Sequence, residues 1–342
     1  METIALGDYN HGMDSEKPVF IVGCERSGTT LLGLMLMQSE QLHVVHETRF
    51  LTTLRDRAGD YGDFTRPHER WFFLRDLQRE PATAKTSAFD PFKLDLVEAE
   101  EALRAAAPVG FPGASAALFR ASAAKAGKSR WGDKTPRYVT HIDWLSEVYP
   151  DSQFVHIIRD ARDTVRSIMK AGWQPSIRRA AERWVRQVTI GRRVGGTLPP
   201  ERYIEVRFEE LVEQPQEQLE RITKWLGLDY SSAMLSYFES SDRILPADHM
   251  HLLGETKKPV NTARAYAWKK SMSPADVADI EDIAGPTLEA CGYVLSGFDV
   301  SKLRKITRSF VGTLTPGIKA VRLELKNRGL LSDAADRDPD QR

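Results

Sequence analysis

The sequence predicts an α/β fold: a three-layer sandwich with a central parallel sheet, a P-loop-like phosphate-binding turn and a helical insertion. Three observations carry that expectation. The run PVFIVG over residues 18–23 is short, apolar and β-branched, and it passes through GCERSGTT into the apolar run LLGLMLMQS. A strand, a glycine turn and a buried helix in immediate succession open an α/β unit with an anion site at the helix start. Strand patterns recur at 153–159 (QFVHIIR) and 203–208 (YIEVRF), each followed by a helix pattern. Composition agrees: 41% of the 342 residues are hydrophobic and 28% charged, which is globular rather than disordered.

The elements follow in order. Residues 1–17 form a polar leader with four acids before Pro18 and no apolar stretch, so no secretory signal is expected. No run approaches the roughly 18 apolar residues that span a bilayer. Two cysteines, Cys24 and Cys291, are too few for a disulfide framework or a structural zinc site, and the expected compartment is the reducing cytoplasm. Lys plus Arg and Asp plus Glu each number 48, so no overall attraction to nucleic acid is expected. After the first strand come a helix over 31–39 and a second strand, LHVVHE, over 42–47. Residues 50–129 are rich in Ala, Arg and acids, with helix patterns at 66–80, 95–107 and 113–127 broken by Pro81, Pro91, Pro108 and Pro112. They read as a helical insertion over the sheet and the natural place for an acceptor surface.

Pro136 sits near the first turn of a helix expected through about residue 148. The next helix, 160–172, has Asp160 placed to cap its start and Gly172 its end. Helices follow at 176–194 and 215–227. Segment 240–272 is polar and irregular, and a helix over 274–292, interrupted near Gly285 and Pro286, closes a single domain of residues 18–300. Residues 301–331 hold eight Lys or Arg and one Glu amid a regular apolar set. This basic amphipathic extension suits either a helix pair packed on the domain or a peripheral membrane contact. Residues 332–342 read as a disordered tail.

Residues 23–30 keep the glycine spacing of a Walker A turn but carry Thr29 where a nucleoside-triphosphate hydrolase has the lysine that reaches the β and γ phosphates. An ATPase or GTPase is therefore not expected. The oxyanion cradle survives: backbone N–H groups at a helix start, hydroxyls of Ser27, Thr29 and Thr30, the small Gly28, and the Arg26 guanidinium. Arg159 at a strand end and Ser167 two turns along the next helix suit a second phosphate. The two motifs together suggest a nucleotide phosphorylated at two positions.

At these residues the chain resembles the sulfotransferases that use 3′-phosphoadenylyl sulfate (PAPS). GCERSGTT is similar to their 5′-phosphosulfate loop, FVHIIRDARDTVRSIMKAGW to their 3′-phosphate segment, and YIEVRFEELVEQPQEQLERITKWLGL to the strand-loop-helix downstream. The resemblance covers about 18–50 and 130–295. Its motifs are most like the tyrosylprotein-type branch: ETR at 47–49, a lysine before proline in WGDKTP, and KPVN within 257–261. The chain departs from that branch at Phe208, where it has a nucleotide-contacting tyrosine, and at Ala267, where it has a lysine.

The resemblance implies that Arg26, Ser27, Gly28, Thr29 and Thr30 hold the 5′-phosphosulfate, Arg159 and Ser167 the 3′-phosphate, and Lys258 a further contact. It implies Glu47 as the base and Lys134 on the leaving-group side, with Arg26 on the sulfuryl oxygens, and His46 as the second choice of base. Asp133 either orients Lys134 or caps the following helix. The expected reaction is O-sulfation of a small-molecule, lipid, glycan or peptide hydroxyl, with PAPS as donor and no metal. Two alternatives stand beside it: an atypical small-molecule or nucleotide kinase, and a nucleotide-binding protein without catalysis.

Overall fold

The first strand, β1 (Val19–Gly23), is buried at every position, as an apolar run in the middle of a covered sheet must be. Its side chains alternate between two cores. Val19 and Ile21 pack with Leu32 and Leu36 of the helix that follows, while Phe20 and Val22 face the aromatic core of the insertion. A computed structural model describes residues 17–83, 85–239 and 257–298 of the chain. The leader before residue 17, the 240–256 part of the irregular 240–272 segment, the 301–331 extension and the 332–342 tail lie outside the described residues.

Five parallel strands form the sheet in the order β2 (Leu42–His46), β3 (Arg130–Lys134), β1, β4 (Gln153–Ile158), β5 (Tyr203–Arg207). Helix α1 (Thr29–Leu36) covers one face. The insertion helices α2 (Pro67–Arg79), α3 (Leu96–Ala106) and α4 (Gly110–Lys125) cover the other, through Phe73, Leu77, Phe111 and Phe119. A capping box at Asp95 and Glu98 starts α3. The helices α5 (Ile142–Val148), α6 (Ala161–Lys170), α7 (Ile177–Gly195), α8 (Phe208–Glu213), α9 (Pro215–Leu226) and α10 (Pro274–Ala290) complete the layers. Among the described residues, no helix is long and apolar enough to cross a membrane.

The local structure adds to or departs from the sequence reading at four places. The stretch RWGDK is a central strand, because Trp131 stacks on Phe119 at 4.5 Å and Gly132 lets β1 approach. A Cβ at Gly132 would lie 2.6 Å from the Val19 carbonyl oxygen. The expected 136–148 helix divides into a 3-10 turn, Pro136–Thr140, and α5, with His141 at the junction. Asp133 is therefore a strand residue and caps nothing. The strand expected over 203–208 ends at Arg207, and residues 208–213, for which no helix was expected, form α8. Finally, α10 runs unbroken through Pro286, since Ile280, Ala284 and Leu288 are locked against Trp184 and Val188 of α7. Packing there outweighs the lost hydrogen bond.

Candidate functional site

All five strands end at one edge, and the chain turns from one half of the sheet to the other between β1 and β4. In open parallel sheets that edge is where ligands bind. A cavity of about 330 Å³ opens there, lined by Arg26, Gly28, Thr29 and Thr30 after β1, Glu47 and Arg49 after β2, Arg159 and Ser167 after β4, and Arg264 from the 257–268 strap.

The turn after β1 is built for close approach. Gly28 has φ 100, and a Cβ on it would sit 2.5 Å from Cδ2 of Phe208. No side chain caps α1, so its first N–H groups remain directed at the cavity end. Arg26 adopts a left-handed φ of 71, which carries its guanidinium across to Ser167, where Nε donates to Oγ at 3.1 Å, and over the Trp173 ring at 5.4 Å.

Arg159, buried at the end of β4, donates to the carbonyl oxygens of Arg26 at 3.1 Å and Arg264 at 2.7 Å, and it rests on the Phe208 ring at 4.5 Å. Phe208, where the resemblance expects a tyrosine, thus supports an arginine and shields Gly28. Burial, then the charges of Arg264 and Arg159, hold Arg26 down to about 10, and burial likewise lowers Arg159. Cations that destabilise one another this way are poised for an anion, which would relieve each of them.

On the other side of the turn, Glu47 and Arg49 are also left-handed, at φ 55 and 59. Such backbone costs on the order of 1–3 kcal/mol per residue and persists only where its surroundings dictate it. Here the dictating group is Thr48, whose buried hydroxyl donates to Asp133 and meets the Tyr138 hydroxyl at 3.2 Å, while the Glu47 amide donates to the Lys134 carbonyl at 2.9 Å. Burial pushes the Asp133 carboxyl up to about 7, against the pull of the Thr135 and Thr48 hydroxyls. Asp133 thereby anchors the Glu47 turn rather than Lys134.

Lys134, almost wholly buried, donates from Nζ to Glu47 Oε1 at 2.6 Å and to Thr30 Oγ1 at 3.3 Å. One ammonium therefore connects the carboxylate to the phosphate turn. Arg49 reaches the other Glu47 oxygen at 3.4 Å.

Of the residues named from sequence, Arg26, Gly28, Thr29, Thr30, Glu47, Arg159 and Ser167 line the cavity, Ser27 and Lys134 are buried in the adjoining turn and strand without lining it, and two others stand apart. Lys258 is exposed and does not line the cavity, though its carbonyl accepts from Tyr237 and its neighbours Pro259, Val260 and Asn261 do line it. His46 turns onto Met37 of the α1 end at 3.3 Å, and burial keeps it neutral far below its usual range. Sequence reasoning missed Arg264, Arg137 and Trp173, all cavity-lining. The KPVN run was the nearest signal for Arg264, Trp173 ends the run likened to the 3′-phosphate segment, and Arg137 directly follows WGDKTP.

The side chains fit a doubly phosphorylated nucleotide. Ser27 Oγ and Arg159 Nε, one in each phosphate motif, are buried polar atoms without a hydrogen-bond partner among the described residues. Such atoms are costly unless a ligand completes them.

Comparison with known proteins agrees with this geometry. The model of the sulfotransferase family matches residues 18–232, which hold every cavity residue named here except Tyr237 and those of the strap. The chain is 24% identical to the protein-tyrosine sulfotransferase of Drosophila melanogaster over 286 residues, 80% of this chain and 51% of that protein. It is 22% identical to protein-tyrosine sulfotransferase A of Caenorhabditis elegans over 284 residues, 80% of this chain and 67% of that one. The match thus spans about half the length of the Drosophila relative. The fold resembles the sulfotransferase domain from the Synechococcus PCC 7002 olefin synthase, with a TM-score of 0.56 and 24% identity over 83% of this chain and 98% of that one. The cradle without a Walker lysine, the two phosphate motifs and the family match meet in one conclusion: the chain belongs to the sulfotransferase family.

Proposed function

We propose that the chain is a PAPS-dependent O-sulfotransferase that uses Glu47 as base. The observation that carries this reading is that buried Lys134 donates to both Glu47 and Thr30, two residues that line one cavity together with Arg26, Arg159 and Arg264. The nucleotide, when bound, supplies an activated sulfuryl group on its 5′ side. The α1 start, Arg26 and the hydroxyls of the turn hold that side, while Arg159, Ser167 and Arg264 hold the 3′-phosphate. Glu47 accepts the acceptor's proton as the new O–S bond forms and the bond from sulfur to the bridging phosphate oxygen breaks. Lys134 and Arg26 meet the charge released on that oxygen, in a site where such groups act with little reorganisation.

Arg49, which reaches the Glu47 carboxylate, and Arg137, Trp173 and Gln174 also line the cavity and are the groups an acceptor would meet. The protein-tyrosine names of the relatives make a tyrosyl phenol the first acceptor to try. Calorimetric titration tests the nucleotide half of the reading. Adenosine 3′,5′-bisphosphate should bind at least about tenfold more tightly than AMP, and Arg159→Ala should remove most of the difference, since it strips the charge-assisted contacts of one phosphate. Equal affinity for both nucleotides would overturn the reading.

A further inference from the structure

We propose that Asp163 is a positioning residue for nucleotide binding: from the first turn of α6 it grips the backbone of the 257–268 strap and so holds Arg264 beside Arg159 at the cavity. The inference rests on the nucleotide reading above and adds the group that fixes the strap. Asp163 is fully buried, yet it does not cap its own helix; Asp160 does that, accepting from the Arg162 amide. The Asp163 oxygens are used on the strap instead. Oδ2 accepts the Ala267 amide at 3.1 Å and Oδ1 the Trp268 amide at 2.9 Å, more than a hundred residues along the chain.

Three neighbours show that this grip dictates the path of the strap. Tyr266, immediately before the two gripped amides, is forced to a left-handed φ of 53, which a bulky aromatic residue adopts only under constraint. Trp268 is buried, donates from its indole to Asp160 at 3.1 Å and lies 3.9 Å under the Arg162 guanidinium. On the cavity side, Asn261 turns the strap by accepting the Ala263 amide at 3.0 Å, and Arg264 follows directly. The circuit closes through Arg159. Its guanidinium donates to the Arg264 carbonyl at 2.7 Å and lies 3.9 Å from Asp163 Oδ2. One buried carboxylate therefore sets both the chain that carries Arg264 and the charge environment of Arg159. It touches neither the cavity nor a reacting atom, so its effect passes through those two arginines.

A double-mutant cycle on the full chain tests this, with adenosine 3′,5′-bisphosphate and AMP as calorimetric probes and a thermal melt beside each titration. Asp163→Asn keeps the shape but sets an amide donor against a backbone N–H. It should cut the preference for the bisphosphate over AMP about tenfold, a ratio that a merely structural loss would leave unchanged. Arg264→Ala, at an exposed side chain, should cost the same discrimination, and the double variant should be no weaker than either single one. Asp163→Asn with wild-type preference, or effects that multiply in the double variant, would overturn the inference while leaving the nucleotide reading intact. If Asp163→Asn does not fold, Arg264→Ala alone decides, because undiminished preference there leaves Asp163 nothing to position. A wild-type chain that holds AMP as tightly as the bisphosphate overturns the nucleotide reading and this inference with it.

Discussion

Glu47 and Lys134 form a pair whose two members should fail differently. Glu47→Gln keeps the side-chain shape and one acceptor oxygen but cannot take a proton near neutral pH. Turnover should drop by about 10²–10⁴ with bisphosphate affinity and melting temperature nearly unchanged. Lys134→Ala removes the contacts to both Glu47 and Thr30, so it should depress turnover more than nucleotide affinity. Single-turnover transfer at saturating donor separates the two; a Glu47→Gln variant with wild-type transfer would show that the base is elsewhere. Asp133 titrates with a definite sign. Its folded carboxyl holds a proton up to about 7, whereas an unfolded aspartate releases it near about 4. Between those values the folded state binds more protons, so this group's contribution to stability falls as pH rises through the window. Asp133→Asn lacks that dependence. Relative to wild type it should therefore gain stability from pH 5 to pH 8, read as the shift in urea midpoint at each pH. An identical gap at both values would contradict the assignment.

The elements show why some of the site was legible and some was not. The turn after β1 and the strand-helix junction at Arg159 were readable because both pair an apolar strand run with a helix start, and both patterns are local. The strand β3 was not, because its sequence alternates Trp, Gly, Asp and Lys, and its burial comes from Phe119, Val19 and Thr48, partners distant along the chain. Glu47 was legible through its ETR resemblance, but its left-handed backbone was not, since the cause lies in Asp133 and Tyr138 on another element. The strap was the least legible element: its polar sequence has no period, and the two carboxylates at the start of α6 that fix it, Asp160 and Asp163, lie about a hundred residues earlier. The turn also permits a sharp test at this scale. Gly28→Ala sets a methyl against the Phe208 ring that supports Arg159, at a φ that alanine adopts with strain. It should cost on the order of 1–3 kcal/mol of stability and weaken bisphosphate binding. Gly62→Ala, with open space around its Cβ, is the neutral control.

For the whole molecule, the sheet supplies rigid strand ends and the loops beyond them supply charge. Arg26 and Arg159 follow β1 and β4, Glu47 follows β2, Lys134 ends β3, and Arg264 arrives from the strap. Each element contributes one group, so the chemistry exists only when the sheet order brings non-adjacent segments together. The insertion closes the far face with an aromatic core and leaves the strand-end edge to the cavity. On the proposed reading four cations at one edge would supply the charge that a divalent ion supplies in phosphoryl transfer, so turnover should persist in excess EDTA. The measurement that tests the central claim most directly follows sulfur itself. The chain is incubated with ³⁵S-labelled PAPS and tyrosine methyl ester in EDTA, and labelled ester and adenosine 3′,5′-bisphosphate are counted together. The account predicts equal amounts of the two products, both lost in Glu47→Gln. It would be contradicted by a chain that leaves PAPS intact yet moves labelled phosphate from ATP to the same acceptor when magnesium is restored.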